Sequence, residues 1–276
     1  MKNTLLMIAC LASLGSSSQA ALLVAYPMDG SLSEAAGTGA QNNIVSARDT
    51  DSNIVIPNGN AFVAGVAGLG GNALQLRSGG SNVAWAGTPD ASDPDLGGLP
   101  SATDWTVELF FQPKSLPGEN AFARLALHWG LGDSYHLSIF NKPGVTGPRL
   151  DIVTNYSGSG QQTVNGLTDL APDTWYYAAA VKSGNSVSLY LNGSAEGSFV
   201  VSGNMLDSTN LLFFGSDTQF PFTGYVDDIR IWNEAVNADY LSARAALLVP
   251  EPHAGLLMVI STGILGLCRT LFKRQG

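Results

Sequence analysis

Carboxylates are the residues of this chain with the most chemistry to offer. Glycoside hydrolysis needs two of them placed across the scissile bond, and strand alternation puts residues two apart on one face. The alternating runs here carry Glu108 alone or Asp151 alone, and Asp227 and Asp228 are adjacent, so a regular strand points them to opposite faces. Nucleophilic catalysis would have to use His128 or His136, and no Gly-x-Ser-x-Gly turn accompanies either. Ser157-Gly158-Ser159-Gly160 reads as a polar loop, and His136, on a strand face, reads as solvent-facing. There is no His-Glu-x-x-His and no phosphate loop. The two cysteines, Cys10 and Cys268, lie in the terminal segments, so the body offers no disulfide, thiolate zinc site or catalytic thiol. These residues predict a non-catalytic protein.

Aromatic rings flanked by amides are the other candidate chemistry, because a sugar ring stacks on them. Trp85 and Tyr156 sit in Gly-rich surroundings and are the expected ligand contacts. Trp129 and Tyr176 are further candidates, with Asn155 and Gln161 near Tyr156 in sequence. Trp105 and Trp175 begin apolar faces and read as core.

The elements that must position these residues are strands. Trp105, Val107, Leu109 and Phe111 fall on one face of one run, Tyr135, Leu137 and Ile139 on one face of another. Leu150, Ile152 and Thr154 repeat the pattern, as do Trp175, Tyr177, Ala179 and Val181. Ser186–Leu191 ends at Asn192-Gly193, a strong hairpin signal because both central residues must take positive φ. Ala86–Thr103, rich in Gly, Pro and Asp, reads as a long surface loop, and only Asn233–Leu247 looks helical. Short alternating runs between turn residues predict one all-β domain over 21–246, a two-sheet antiparallel jelly-roll sandwich.

Both ends read as addresses. Met1–Ala20 has a basic start at Lys2, an apolar run and Ser18-Gln19-Ala20 before the expected cut, which is a signal peptide. Near the other end, Pro250-Glu251-Pro252 precedes the apolar stretch Ala254–Cys268 and then Arg269, Lys273 and Arg274. Fifteen helical residues span about 22 Å, short of the roughly 30 Å hydrocarbon layer but workable if Arg269 snorkels. The basic cluster stays inside, so the body faces outward. Over 249–276 this layout resembles the bacterial PEP-CTERM sorting signal. The resemblance implies recognition of Pro250, Glu251 and Pro252 by an exosortase-type membrane protease, commonly in bacteria that make exopolysaccharide. With 13 basic and 22 acidic residues, and four of the basic ones at the ends, the body is a poor partner for nucleic acid.

Five segments in order carry a second resemblance. They are YPMDGSLSEAAG near the start, GLGGNALQL at 68–76, DWTVELFFQP at 104–113, TWYYAAAVKSGNSVSLYLNG at 174–193 and FTGYVDDIRIWNEAV at 222–236. Together they resemble the concanavalin A-like, laminin-G-like jelly-roll domain, whose two curved sheets bind carbohydrate, protein or nothing known. The resemblance implies a surface or matrix protein that binds a polysaccharide or a partner protein. The alternative is a structural envelope protein without a small ligand; a glycoside hydrolase is the weakest reading. An aromatic strip on the concave face favours binding, and a face of Ala, Ser and Thr favours the structural role. By analogy with glucanase relatives, the resemblance also implies one structural calcium ion held by Asp29, the chain at Gly70–Gly71, and Asp227. Calcium takes six to eight oxygens, and oxygen is nearly the only ligand type this body offers. Asp228 is the adjacent alternative, with pairing to Arg230 or turn capping as its other roles.

Overall fold

The computed structural model describes residues 22–32, 36–37, 46–51, 53, 55–87, 103–128, 134–206, 213–215 and 219–249. The signal peptide, the Pro250-Glu251-Pro252 motif, the apolar stretch after it, Trp129 and most of the expected Ala86–Thr103 loop lie outside these residues. Ala86 itself belongs to a strand, not to that loop. Among the described residues, no helix is long and apolar enough to cross a membrane.

In chain order the strands are β1 (Leu22–Tyr26), β2 (Ala36–Gly37), β3 (Ser46–Arg48), β4 (Phe62–Ala64), β5 (Asn72–Leu76), β6 (Trp85–Gly87), β7 (Trp105–Pro113) and β8 (Phe122–His128). They continue with β9 (Tyr135–Phe140), β10 (Arg149–Tyr156), β11 (Gly160–Asp169), β12 (Tyr176–Ser183), β13 (Ser186–Leu191), β14 (Ser194–Val200), β15 (Phe213–Phe214) and β16 (Gly224–Trp232), and then helix α1 (Ala238–Ala246). Among the described residues, one sheet has nine strands, in the order β14-β13-β12-β7-β16-β1-β2, with β5 also paired to β16 and β4 to β5. The other has seven, in the order β11-β10-β9-β8-β15-β6-β3. All the pairings are antiparallel, so the sandwich expected from the alternation is what forms.

The inner faces make the core. Trp105, Val107, Leu109 and Phe111 of β7 meet Tyr135, Leu137 and Ile139 of β9 and Leu150 and Ile152 of β10 in one buried cluster. Trp105 stacks on Tyr135 with ring centroids 6.1 Å apart. Each fully buried large side chain of this kind contributes roughly 1.5–3 kcal/mol. The alternation of β12 serves a different layer. Tyr177, Ala179 and Val181 point away from the core and form a second cluster with Phe110, Val66 and Leu241 under α1, with Trp175 partly buried beside them. Strand β7 is therefore buried on both sides, with Phe110 and the polar Thr106 and Glu108 on the α1 side.

Two turns fix the geometry. Asn192 (φ 50°) and Gly193 (φ 78°) both take the left-handed region, making the two-residue hairpin between β13 and β14. The helix starts where Asn237 accepts the Tyr240 N–H at 2.9 Å, an N-cap worth about 1 kcal/mol.

Candidate functional site

The two carboxylates with catalytic potential on strands are both committed elsewhere. Glu108 is fully buried between the nine-stranded sheet and α1. It accepts hydrogen bonds from Trp232 Nε1 (2.9 Å), Tyr240 Oη (2.6 Å), Arg244 Nε (3.4 Å) and the Tyr177 hydroxyl. Arg244 also donates to Asp228 at 2.7 Å, and its guanidinium lies 4.7 Å from the Phe110 ring centroid. This network fastens α1 to the sheet and encloses Glu108 completely.

Asp228 corrects one expectation. β16 carries a bulge between Asp227 and Arg230, with Asp228 at φ 40°. The bulge adds a residue, so the two aspartates do not point to opposite faces. Asp227 lies opposite Phe110, whose side chain faces α1, and Asp228 reaches Arg230 (2.9 Å) and Arg244 on the same side. Pairing with Arg230, the alternative role for Asp228, is what the structure shows. The bulge falls where β16 changes neighbours, from β5 at Gly224–Val226 to β1 at Ile229–Trp232.

That junction gathers the expected calcium ligands. Asp227 is 1% exposed and accepts the Val66 N–H at 3.0 Å. Asp29 accepts the Asn72 N–H at 3.0 Å. Gly70 and Gly71 both have positive φ, and a Cβ on Gly71 would run into the Asp29 carboxylate. Burial pushes the Asp227 carboxyl up to about 7, and the negative charges of Asp228 and Asp29 add to it, while the Val66 N–H opposes. No Lys or Arg pairs with Asp227 among the described ion pairs. A buried carboxylate with a second carboxylate beside it fits a bound cation, whose charge would remove that penalty. Among the described residues, no group of three or more His, Cys, Asp or Glu converges, so backbone oxygens would have to complete the shell.

The outer face of the seven-stranded sheet holds the remaining chemistry. Phe122 of β8 lies directly opposite Phe140 of β9 in register, and the two rings stack at 4.1 Å and 12°. Phe220 meets Phe122 edge-on at 5.7 Å, with the Arg124 guanidinium 4.6 Å from its centroid. All four side chains are half-buried. Further across the sheet, Arg48 lies 5.1 Å from the Trp85 ring centroid. Beyond it a cleft of about 680 Å³ is lined by Asp49, Arg77, Ser81 and Asn82, among others.

Beneath this surface runs a buried polar chain. Ser138 Oγ donates to Asp151 Oδ1 at 3.2 Å. His136 Nδ1 lies 3.1 Å from the same hydroxyl, the donor of that contact being set by the histidine tautomer. Asn165 Nδ2 donates to Asp151 Oδ2 at 2.5 Å. His136 is 5% exposed, not solvent-facing as expected, because the Phe122 ring packs edge-on against it at 5.6 Å. Burial, and secondarily Arg124, pushes its imidazole down to about 3, so it is neutral. Burial pushes Asp151 up to about 7, against the bonds from Ser138 and Asn165. The serine sits between the histidine and the aspartate, whereas a hydrolytic triad needs the histidine in the middle.

The two expected stacking residues present no open ring face. Tyr156 is 1% exposed because its side chain points inward, into the core. Trp85 is 5% exposed; it is on the outer side of β6 but is covered, with Arg48 against its ring. Tyr176 is also core, packed on Phe111 at 5.4 Å. Asn155 and Gln161 do sit opposite one another on β10 and β11, with Gln161 exposed. The phenylalanine group was missed because Phe122 and Phe220 are unremarkable in isolation; only strand register brings them together.

Comparison with known proteins agrees with this architecture. Residues 87–242 match a laminin-G-type family described as the concanavalin A-like lectin/glucanases superfamily. No curated protein sequence matches. Among solved structures, domain 4 of AbnA, a GH43 extracellular arabinanase from Geobacillus stearothermophilus, in complex with arabinotriose, is similar at 18% identity and a TM-score of 0.58, covering 82% of this chain and 98% of that one. The binding domain of Paraclostridial Mosquitocidal Protein 1 is similar at 12% identity and a TM-score of 0.55, covering 73% of this chain and 50% of that one. The receptor-binding domain of botulinum neurotoxin type G is similar at 11% identity and 0.51, covering 83% and 51%. The family match takes in more than half of the sequence, and the chain belongs to the concanavalin A-like lectin/glucanases superfamily.

Proposed function

We propose that this is an exported, non-catalytic protein whose jelly-roll domain binds carbohydrate on the outer face of its seven-stranded sheet. The observation that carries the reading is the half-buried group of Phe122, Phe140, Phe220 and Arg124. The core is already filled from the inner face of the same sheet, so these rings are not needed to close it. Aromatic faces with a guanidinium beside them suit the apolar and hydroxylated sides of a sugar ring. Half-buried phenylalanines favour binding over the purely structural envelope role, for which a face of Ala, Ser and Thr is expected. The arabinotriose bound to the similar Geobacillus domain is in keeping with this reading.

One calcium ion at Asp29, Gly70, Gly71 and Asp227 is part of the proposal, as a structural cofactor far from chemistry. So is sorting of the exported chain through Pro250, Glu251 and Pro252, with the apolar stretch after them engaging the membrane until an exosortase-type protease acts. The partner is a polysaccharide, with an extracellular protein as the second possibility. A glycan array with and without calcium, on wild type and on Phe122→Ala and Arg124→Ala, tests the ligand. Binding by the wild type that both variants lose supports the reading. Wild-type protein that holds no glycan on the array rejects it.

A further inference from the structure

At the β11 edge of the same sheet, where Glu196 of β14 accepts the Leu167 and Thr168 N–H groups, lies a second, smaller cleft of about 240 Å³, bounded by the end of β9, the turn into β10, and β11. Its walls include Phe140, Lys142, Arg149, Asn165 and Leu167. The Asn165 amide is held from behind, since its Nδ2 donates to Asp151, which is 0% exposed. With the nitrogen committed to the carboxylate, the amide carbonyl Oδ1 is the part left for the cleft. Burying Asp151 at the middle of a strand is costly. A buried polar group that rigidly orients a cleft-lining side chain is the support a binding site needs. Arg149 is occupied by Asp169 at 2.6 Å, whereas Lys142 is exposed and makes no close ion pair among the described residues, its electrostatic influence falling on the buried Asp151. The Phe140 ring, stacked on Phe122 on one side, and Leu167, 69% exposed, supply apolar walls.

We propose that this cleft is a subsite for an acidic sugar unit: its carboxylate meets Lys142 Nζ, a ring hydroxyl donates to Asn165 Oδ1, and the ring's apolar side rests against Phe140 and Leu167. Asp151 is a positioning residue that acts through Asn165. The inference rests on the carbohydrate-binding reading and names the class of sugar.

The test is calorimetric titration of the full-length chain with tetragalacturonate and, separately, with arabinotriose. Lys142→Gln, an exposed change that leaves the core untouched, should weaken tetragalacturonate about tenfold and leave arabinotriose within twofold. Lys142→Arg should restore most of the loss, and added salt should weaken the wild type but not Lys142→Gln. Tetragalacturonate binding that neither Lys142→Gln nor Asn165→Ala alters overturns the subsite and leaves the carbohydrate reading standing. Binding of arabinotriose alone overturns the acidic class. Wild-type protein that binds neither probe, and nothing on a glycan array, overturns the parent reading itself.

Discussion

Replacing Asp227 with Asn separates the cost of a buried carboxylate from the gain of a bound cation. In the folded chain the carboxyl is pushed up from 3.8 to about 7, chiefly by burial. A folded pKa raised above the unfolded one means the folded state holds the proton between pH 4 and 7. The stability this gives is complete below pH 4 and is lost as pH rises through 7. Three units at 1.36 kcal/mol each put the loss near 4 kcal/mol at pH 8 without metal. An amide keeps an acceptor for the Val66 N–H but adds a donor without a partner, costing about 1–3 kcal/mol. The net expectation is a variant more stable than wild type by roughly 2 kcal/mol in EDTA at pH 8. For a domain of this size that is about 4–8 °C in melting midpoint. Calcium at 100 times its Kd adds about 2.7 kcal/mol to the wild type alone, so the order of the two proteins narrows or inverts when the metal is added. Thermal unfolding followed by circular dichroism, in EDTA and in millimolar calcium, reads both effects. A variant that melts below wild type in EDTA refutes the burial argument, and an equal calcium shift in both proteins refutes the site.

Other perturbations follow from the same contacts. Arg244→Ala leaves Glu108 and Asp228 buried with fewer partners, and should lower unfolding stability in urea by about 3–5 kcal/mol; a loss below 1 kcal/mol would show that α1 is held by apolar packing alone. Asp151, also pushed up to about 7, gives stability that disappears as pH rises from 4 to 8, and Asp151→Asn should flatten that part of the pH profile. An unchanged profile would mean that its carboxyl titrates normally. Glu251→Ala should leave the C-terminal segment uncut in a host with an exosortase-type protease, and identical size and location of mutant and wild type would end the sorting proposal.

Much of the fold is legible in the sequence because strand alternation is a local signal. The residues assigned to the core in β7, β9 and β10 are the ones that meet there, and Asn192-Gly193 turns the chain as its φ requirement demands. The candidate site was less legible because it depends on register and on distant partners. Phe122 and Phe140 become neighbours only through the pairing of β8 with β9. Glu108 looks like a lone strand carboxylate until Arg244, 136 residues later, reaches it. Trp85 and Tyr156 occupy Gly-rich stretches that suggest exposure, yet glycines around a ring say nothing about which side of the sheet it takes or what lies over it. The bulge at Asp228 likewise breaks the period-2 rule at the one place where two carboxylates are adjacent.

The central claim is that the ligand lies on the outer face of the seven-stranded sheet. Amide hydrogen exchange of the full-length chain, with and without the tightest ligand from a glycan array, tests it most directly. Ligand bound there slows exchange in β8, β9 and β10 and around Phe220 and leaves β13, β14 and α1 unchanged. Protection confined to β12–β14 or to α1 would place the ligand on the other sheet and contradict it.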